Sequence, residues 1–193
     1  MNIVLFGGAF NPPHIGHLIV IQQALELIDA DELWILPDNI GSFGKDLAPS
    51  HHRIKMIELL INEIPEEIKS KVKLNTTLID ENLSGETHQY MKALKEKYPQ
   101  YSFSFLMGSD NLKKFEEWGN WQRLIDNMHF YIYPRNGYKV EKLYNNMMLL
   151  ESDTQVVTNF SSTIMRKRAQ QNLSLKNFIP HTILNYLTQN KLY

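Results

Sequence analysis

The first eighteen residues constrain the fold more than any other stretch of the chain. An apolar run, Asn2-Ile3-Val4-Leu5-Phe6, stops at Gly7-Gly8, and a segment with helical spacing follows from Leu18. An unbroken apolar run of this length predicts a strand covered on both faces. Paired glycines permit a sharp turn and let main-chain N–H groups approach a ligand closely. Pro12 and Pro13 predict a helix start, because a first-turn proline gives up no needed N–H. A strand, a glycine turn and a helix N-terminus together predict an anion site, with free N–H groups and the positive dipole end facing outward. His14 and His17 stand at i and i+3, so a helix presents both from one face. Either alone reads as a capping or core histidine; the pair behind the glycine turn points to polyphosphate chemistry.

The rest of the chain repeats the strand–helix alternation. Apolar strand-like runs recur at 33–36, 72–79, 103–107 and 130–133, and helical periodicity fills 18–28, 51–64, 87–98 and 112–127. Beyond Pro134 come strand-like Met148-Leu149-Leu150 and Val156-Val157, then helical segments from Ser162 and from His181. This order predicts an α/β fold, a Rossmann-like doubly wound parallel sheet with a small C-terminal helical extension. With no repeat or composition break, residues 1–193 read as one domain whose C-terminal helical part begins near residue 161. The unusual residues fall after strands: Gly7 to Phe10, Pro37-Asp38-Asn39, Gly108 to Asp110 and Pro134-Arg135. Those are strand C-terminal ends, where open α/β sheets bind ligands.

Composition removes several classes. There is no cysteine, so thiol catalysis is excluded and no oxidising compartment is required. The first apolar run breaks at Gly7, too early for a signal peptide or membrane span, so the expectation is a cytoplasmic protein without a membrane partner. A net charge of −1 gives no general footprint for nucleic acid, so a phosphate site must be a local arrangement. No GxxxxGK[ST] or strand-following GxGxxG occurs, and His51-His52 lack partners at metal-site spacing. Ser161-Ser162-Thr163 reads first as a helix N-cap. Arg166-Lys167-Arg168 in the first two turns of the same helix would oppose its dipole by about 0.3–1 kcal/mol each, a cost that a docked anion reverses.

Gly8, Phe10, Pro12, His14, Gly16 and His17 spell GxFxPxHxGH, which resembles the signature of the nucleotidyltransferase superfamily that transfers adenylyl or cytidylyl groups. Phe160 to Arg166 resembles its second motif, SSTxxR, in the adenylyltransferase form. Gly108-Ser109-Asp110-Asn111-Leu112, followed by Phe115, Trp118 and Trp121, resembles the middle of bacterial nicotinate-nucleotide adenylyltransferases, and Leu192-Tyr193 resembles their ending. The resemblance spans essentially the whole chain. It implies ATP and nicotinate mononucleotide as substrates, deamido-NAD and pyrophosphate as products, and Mg2+ that arrives with ATP rather than on protein side chains.

By this resemblance His14, His17 and Arg166 are catalytic. Gly8, Ala9, Phe10, Gly16, Lys45, Gly108, Asp110, Ser161, Ser162 and Thr163 would bind ATP, and Asn11, Thr87, Trp118 and Arg135 the mononucleotide. The imidazoles are expected in protonated form beside the phosphates. Lys167 and Arg168 are expected to be solvated, and Trp121 to pack inside. His52-Arg53 resembles a family His-Arg pair and equally fits a helix entry with an exposed cation. Two departures stand out: Ser42-Phe43-Gly44 precedes Lys45 where the family often has Pro-Pro-His, and Ser84-Gly85-Glu86-Thr87 replaces a Ser-Tyr-Thr loop. The second leaves a nicotinamide-mononucleotide adenylyltransferase open. A phosphopantetheine adenylyltransferase, which lacks the tryptophan segment, and a non-catalytic nucleotide sensor are remoter alternatives. The oligomeric state is not encoded in any of these motifs.

Overall fold

In the computed structural model, which describes residues 1–40, 47–83 and 86–193, the opening apolar run forms β1 (Asn2–Gly8). Alternate residues of β1 enter different cores, Val4 on one face and Ile3 and Leu5 on the other, each at most 2% exposed. The other strands are β2 (Glu32–Pro37), β3 (Val72–Leu74), β4 (Ser102–Gly108), β5 (His129–Tyr133) and β6 (Met147–Leu149). All pair in parallel, in the order β3-β2-β1-β4-β5-β6. This is the doubly wound arrangement, and its order reverses between β1 and β4.

Helices cover both faces. On the Val4 face pack α1 (Ile15–Leu27) and α2 (Ser50–Asn62); α3 (Glu66–Lys69) is a short turn after them. On the opposite face lie α4 (Thr77–Asp80), α5 (Thr87–Lys97), a 3₁₀ segment (Ser109–Glu117) and α6 (Trp121–Asn127). The last helices, α7 (Ser162–Gln170) and α8 (His181–Gln189), return to the first face through Met165, Ile183 and Leu187. Among the described residues no helix is long and apolar enough to cross a membrane.

Four expectations are corrected. The run 72–79 is a strand only to Leu74, because the Asn75 side chain accepts the Thr77 N–H at 3.0 Å and turns the chain into α4. The helix expected over 112–127 is broken: Trp118 is extended and Asn120 is left-handed at φ 55°, a conformation asparagine tolerates. Val156-Val157 is no strand. Its main chain is held by a side chain, with Gln23 Oε1 accepting from Val156 N–H at 2.8 Å and Nε2 donating to Val156 O at 3.2 Å. Finally, Pro12 and Pro13 precede α1 rather than enter its first turn, and His14 is the N-cap.

Candidate active site

A cavity of about 930 Å³ opens at the C-terminal ends of β1 and β4, where the strand order reverses. That volume lies within the range of small-molecule sites. One end of it is built by α1. The N-cap His14 is 4% exposed, and its N–H donates to Nδ1 of His17 at 3.0 Å. This bond makes Nδ1 the acceptor and leaves the His17 proton on Nε2. The two rings stack at 3.8 Å between centroids, with Phe10 at 4.9 Å supporting His17 from the other side. Nδ1 of His14 has no hydrogen-bond partner among the described residues.

Burial, first of all, lowers the pKa of both imidazoles, with the Arg135 cation adding to the effect. His14 lies well below the usual histidine value, and His17 falls to about 3. The free protein therefore holds two neutral rings, whereas the imidazoliums expected from sequence were those of rings beside phosphates. The negative charge which that expectation needed comes only with a phosphate ligand.

The late serine-rich segment docks directly on this turn. Ser161 caps α7 by accepting the Ile164 N–H at 3.2 Å, while Ser162 Oγ donates to Pro12 O at 2.8 Å. Arg166 donates from Nη1 to Asn11 O at 2.7 Å and from Nη2 to Thr163 Oγ1 at 3.3 Å. Gly16 allows this closeness, since a Cβ there would stand 2.7 Å from Cβ of Phe160. Because α7 ends at Gln170, Lys167 and Arg168 occupy its last turn, where cations suit the dipole. Lys167 is exposed. Arg168, by contrast, is not merely solvated: Nε and Nη2 donate to Ser174 O at 3.1 and 2.8 Å, and the guanidinium covers the Phe178 ring.

Arg135, just after β5, ties the end of that strand to the segment after β4 and to the segment before α7. Nη1 pairs with Asp110 Oδ2 at 2.7 Å, and Nη2 donates to Phe160 O at 2.6 Å. The other Asp110 oxygen, Oδ1, is buried without a partner among the described residues. Gly108 makes room for this pair, as a Cβ there would lie 2.4 Å from Asp110 Oδ1. At the far end of the cavity, half-buried Trp118 meets Phe105 edge-on at 6.0 Å beside Thr87, which hydrogen-bonds Tyr90. Trp121 lies off the cavity and packs, half-buried, against the core on Phe115 and Tyr144.

The cavity thus gathers His14, His17, Arg166, Gly8, Ala9, Phe10, Gly16, Gly108, Asp110, Ser161, Ser162, Thr163, Thr87, Trp118 and Arg135. Lys45 lies outside the described residues. Asn11 does not line the cavity; it is 1% exposed, and its Oδ1 accepts from Ala48 N–H at 3.0 Å and from the Tyr193 hydroxyl. His52 is also elsewhere, its Nδ1 2.8 Å from the Tyr186 hydroxyl. Arg53 is no exposed cation: at 1% exposure it donates from Nε to Ala48 O at 3.0 Å and from Nη1 to Ala9 O at 3.2 Å, bracing the glycine turn from behind. Sequence reasoning missed Glu86, Tyr90 and Glu117 on the cavity wall, and gave Asp38 a place at a ligand-binding strand end without a role. Tyr90 was within reach of it, three residues beyond Thr87 on one helix face. Among the described residues no group of three or more His, Asp or Glu side chains could hold a metal ion.

A parallel sheet with a cavity at its switch point, lined by two imidazoles and a guanidinium, defines the class as an α/β protein of the nucleotide-binding kind. The chain belongs to the cytidylyltransferase-like family, whose model matches residues 5–168. A Bacillus licheniformis protein named as a probable nicotinate-nucleotide adenylyltransferase is 30% identical over 100% of this chain and 98% of its own length. The nicotinate-nucleotide adenylyltransferase of Bacillus subtilis is 28% identical over 100% of this chain and 98% of its own. Among solved structures, the Plasmodium falciparum nicotinic acid mononucleotide adenylyltransferase complexed with NaAD superposes with a TM-score of 0.82 at 26% identity, covering 100% of this chain and 97% of that one.

Proposed function

We propose that this protein transfers the adenylyl group of ATP to nicotinate mononucleotide, giving deamido-NAD and pyrophosphate in NAD biosynthesis. One observation carries the reading: two imidazoles from the opening turn and a guanidinium from α7 share a single cavity wall. The names of the relatives agree with it.

In this reaction a mononucleotide phosphate oxygen attacks the α-phosphorus of ATP in line. A new P–O bond forms as the bond to the β-phosphate oxygen breaks, and pyrophosphate leaves with that electron pair. The attacking phosphate is already ionised near neutral pH, so no strong base is needed. Bringing two polyanions together in the right geometry is the larger task, and positioning can supply about 7–11 kcal/mol. Nε2–H of His17 and the His14 ring donate to the α-phosphate and the leaving group, each such donor contributing about 2.7–4 kcal/mol. Arg166, Ser161, Ser162 and Thr163 hold the triphosphate, with Asp110 by the ribose and Trp118 against the pyridine ring. Magnesium would come with ATP as part of that substrate and would screen its phosphates.

A nicotinamide-mononucleotide preference is the second reading, and one observation favours it. Glu86 and Glu117 line the cavity beside Thr87 and Trp118, and a carboxylate turned from there toward the pyridine substituent would repel a nicotinate carboxylate and accept from an amide. A side-by-side product assay with magnesium-ATP and each mononucleotide tests both readings. Deamido-NAD formed at the higher kcat/KM is the expected result. Faster NAD formation selects the second reading, and no pyrophosphate with either substrate overturns both.

A further inference from the structure

We propose that Tyr193 is a positioning residue for the ATP end of the cavity, acting through Asn11 on Arg166. The inference rests on the reading that Arg166 holds ATP. After α8 the chain turns back at Lys191, left-handed at φ 51°, and the Leu192 N–H bonds to Leu187 O at 3.0 Å. Leu192 packs against the core, and the turn delivers Tyr193 to the loop that follows β1.

There its hydroxyl donates to Oδ1 of Asn11. The same oxygen accepts the Ala48 N–H, and the Asn11 carbonyl accepts from Arg166 Nη1 at 2.7 Å. Asn11 is thus gripped at its side chain by Tyr193 and Ala48 while its main chain sets the guanidinium. At 1% exposure it has no access to water that could replace a lost donor. Burial raises the pKa of the Tyr193 hydroxyl despite the nearby cations of Arg166 and Arg53, so the group stays a neutral donor at working pH. None of this touches the mononucleotide end, where Trp118 and Thr87 stand.

The Tyr193→Phe variant keeps the ring and removes the donor. Binding of a non-hydrolysable magnesium-ATP analogue, measured by calorimetry, is expected to weaken about two- to tenfold, the range of one net hydrogen bond. The ATP KM should rise with it while the mononucleotide KM stays put. In an Arg166→Lys background the same change should add little, because its route runs through the guanidinium. Unchanged analogue affinity, equal shifts in both KM values, or losses that multiply in the double variant would each overturn the proposal. Wild-type protein that fails to bind the analogue overturns the functional reading and this one together. Wild-type binding matched by the variant overturns this one alone.

Discussion

His17 shows how one side chain serves fold and chemistry at once. Its Nδ1 accepts the N–H of the residue that caps α1, and that bond is what points Nε2–H outward. His17→Ala should lose about 10²–10³ of turnover, as expected for one donor to a transferring phosphoryl group. The lost capping contact should cost only about 0.5–2 kcal/mol of stability. Pyrophosphate release and the thermal midpoint read these separately, and a rate within tenfold of wild type would remove His17 from the chemistry. The pair was legible in sequence because spacing alone puts positions 14 and 17 together. The charge state was not, because burial and the Arg135 cation come from segments far along the chain. Arg53 was opaque for the same reason: helix position says nothing about two carbonyls contributed by Ala9 and Ala48.

Strand and helix positions were readable where local pattern decides them. Runs buried on both faces, such as Leu33 to Leu36, have little alternative to a central parallel strand. The sequence misled where one residue overrides pattern, through its side chain at Asn75 and at Gln23 on Val156, and through its left-handed backbone at Asn120. The C-terminal helices carry more than their modest length suggests. α8 fastens to α2 through Ile183 and Leu187 in the core, through the His52–Tyr186 contact and through Thr182 Oγ1 donating to Glu63 at 2.7 Å. Leu187→Ala should therefore cost about 2–5 kcal/mol, the usual range for a buried leucine. Denaturant unfolding measures it, and a loss below about 0.5 kcal/mol, as at a surface position, would show that α8 is not part of the cooperative core.

For the whole molecule, the buried imidazoles predict a sensitivity to acid. Their folded pKa values lie below the unfolded value, so the unfolded chain gains protons first as pH falls. Stability should be intact above about pH 6.5 and decline from there toward pH 3, by at most about 1.4 kcal/mol per pH unit for each ring. Water in the cavity moderates the His17 share, since that side chain is half-buried. Unfolding midpoints compared at neutral and mildly acidic pH should fall faster for wild type than for His17→Gln, and parallel declines would refute the assignment. The two motifs that share the cavity are separated by most of the chain, and Gly16 faces Phe160 across their seam with no room for a Cβ. A single methyl at that spot would act as a wedge, pushing the opening turn and the segment before α7 apart. Position 16 therefore admits no side chain unless its neighbours shift, for a reason of distance alone, independent of any role in the reaction.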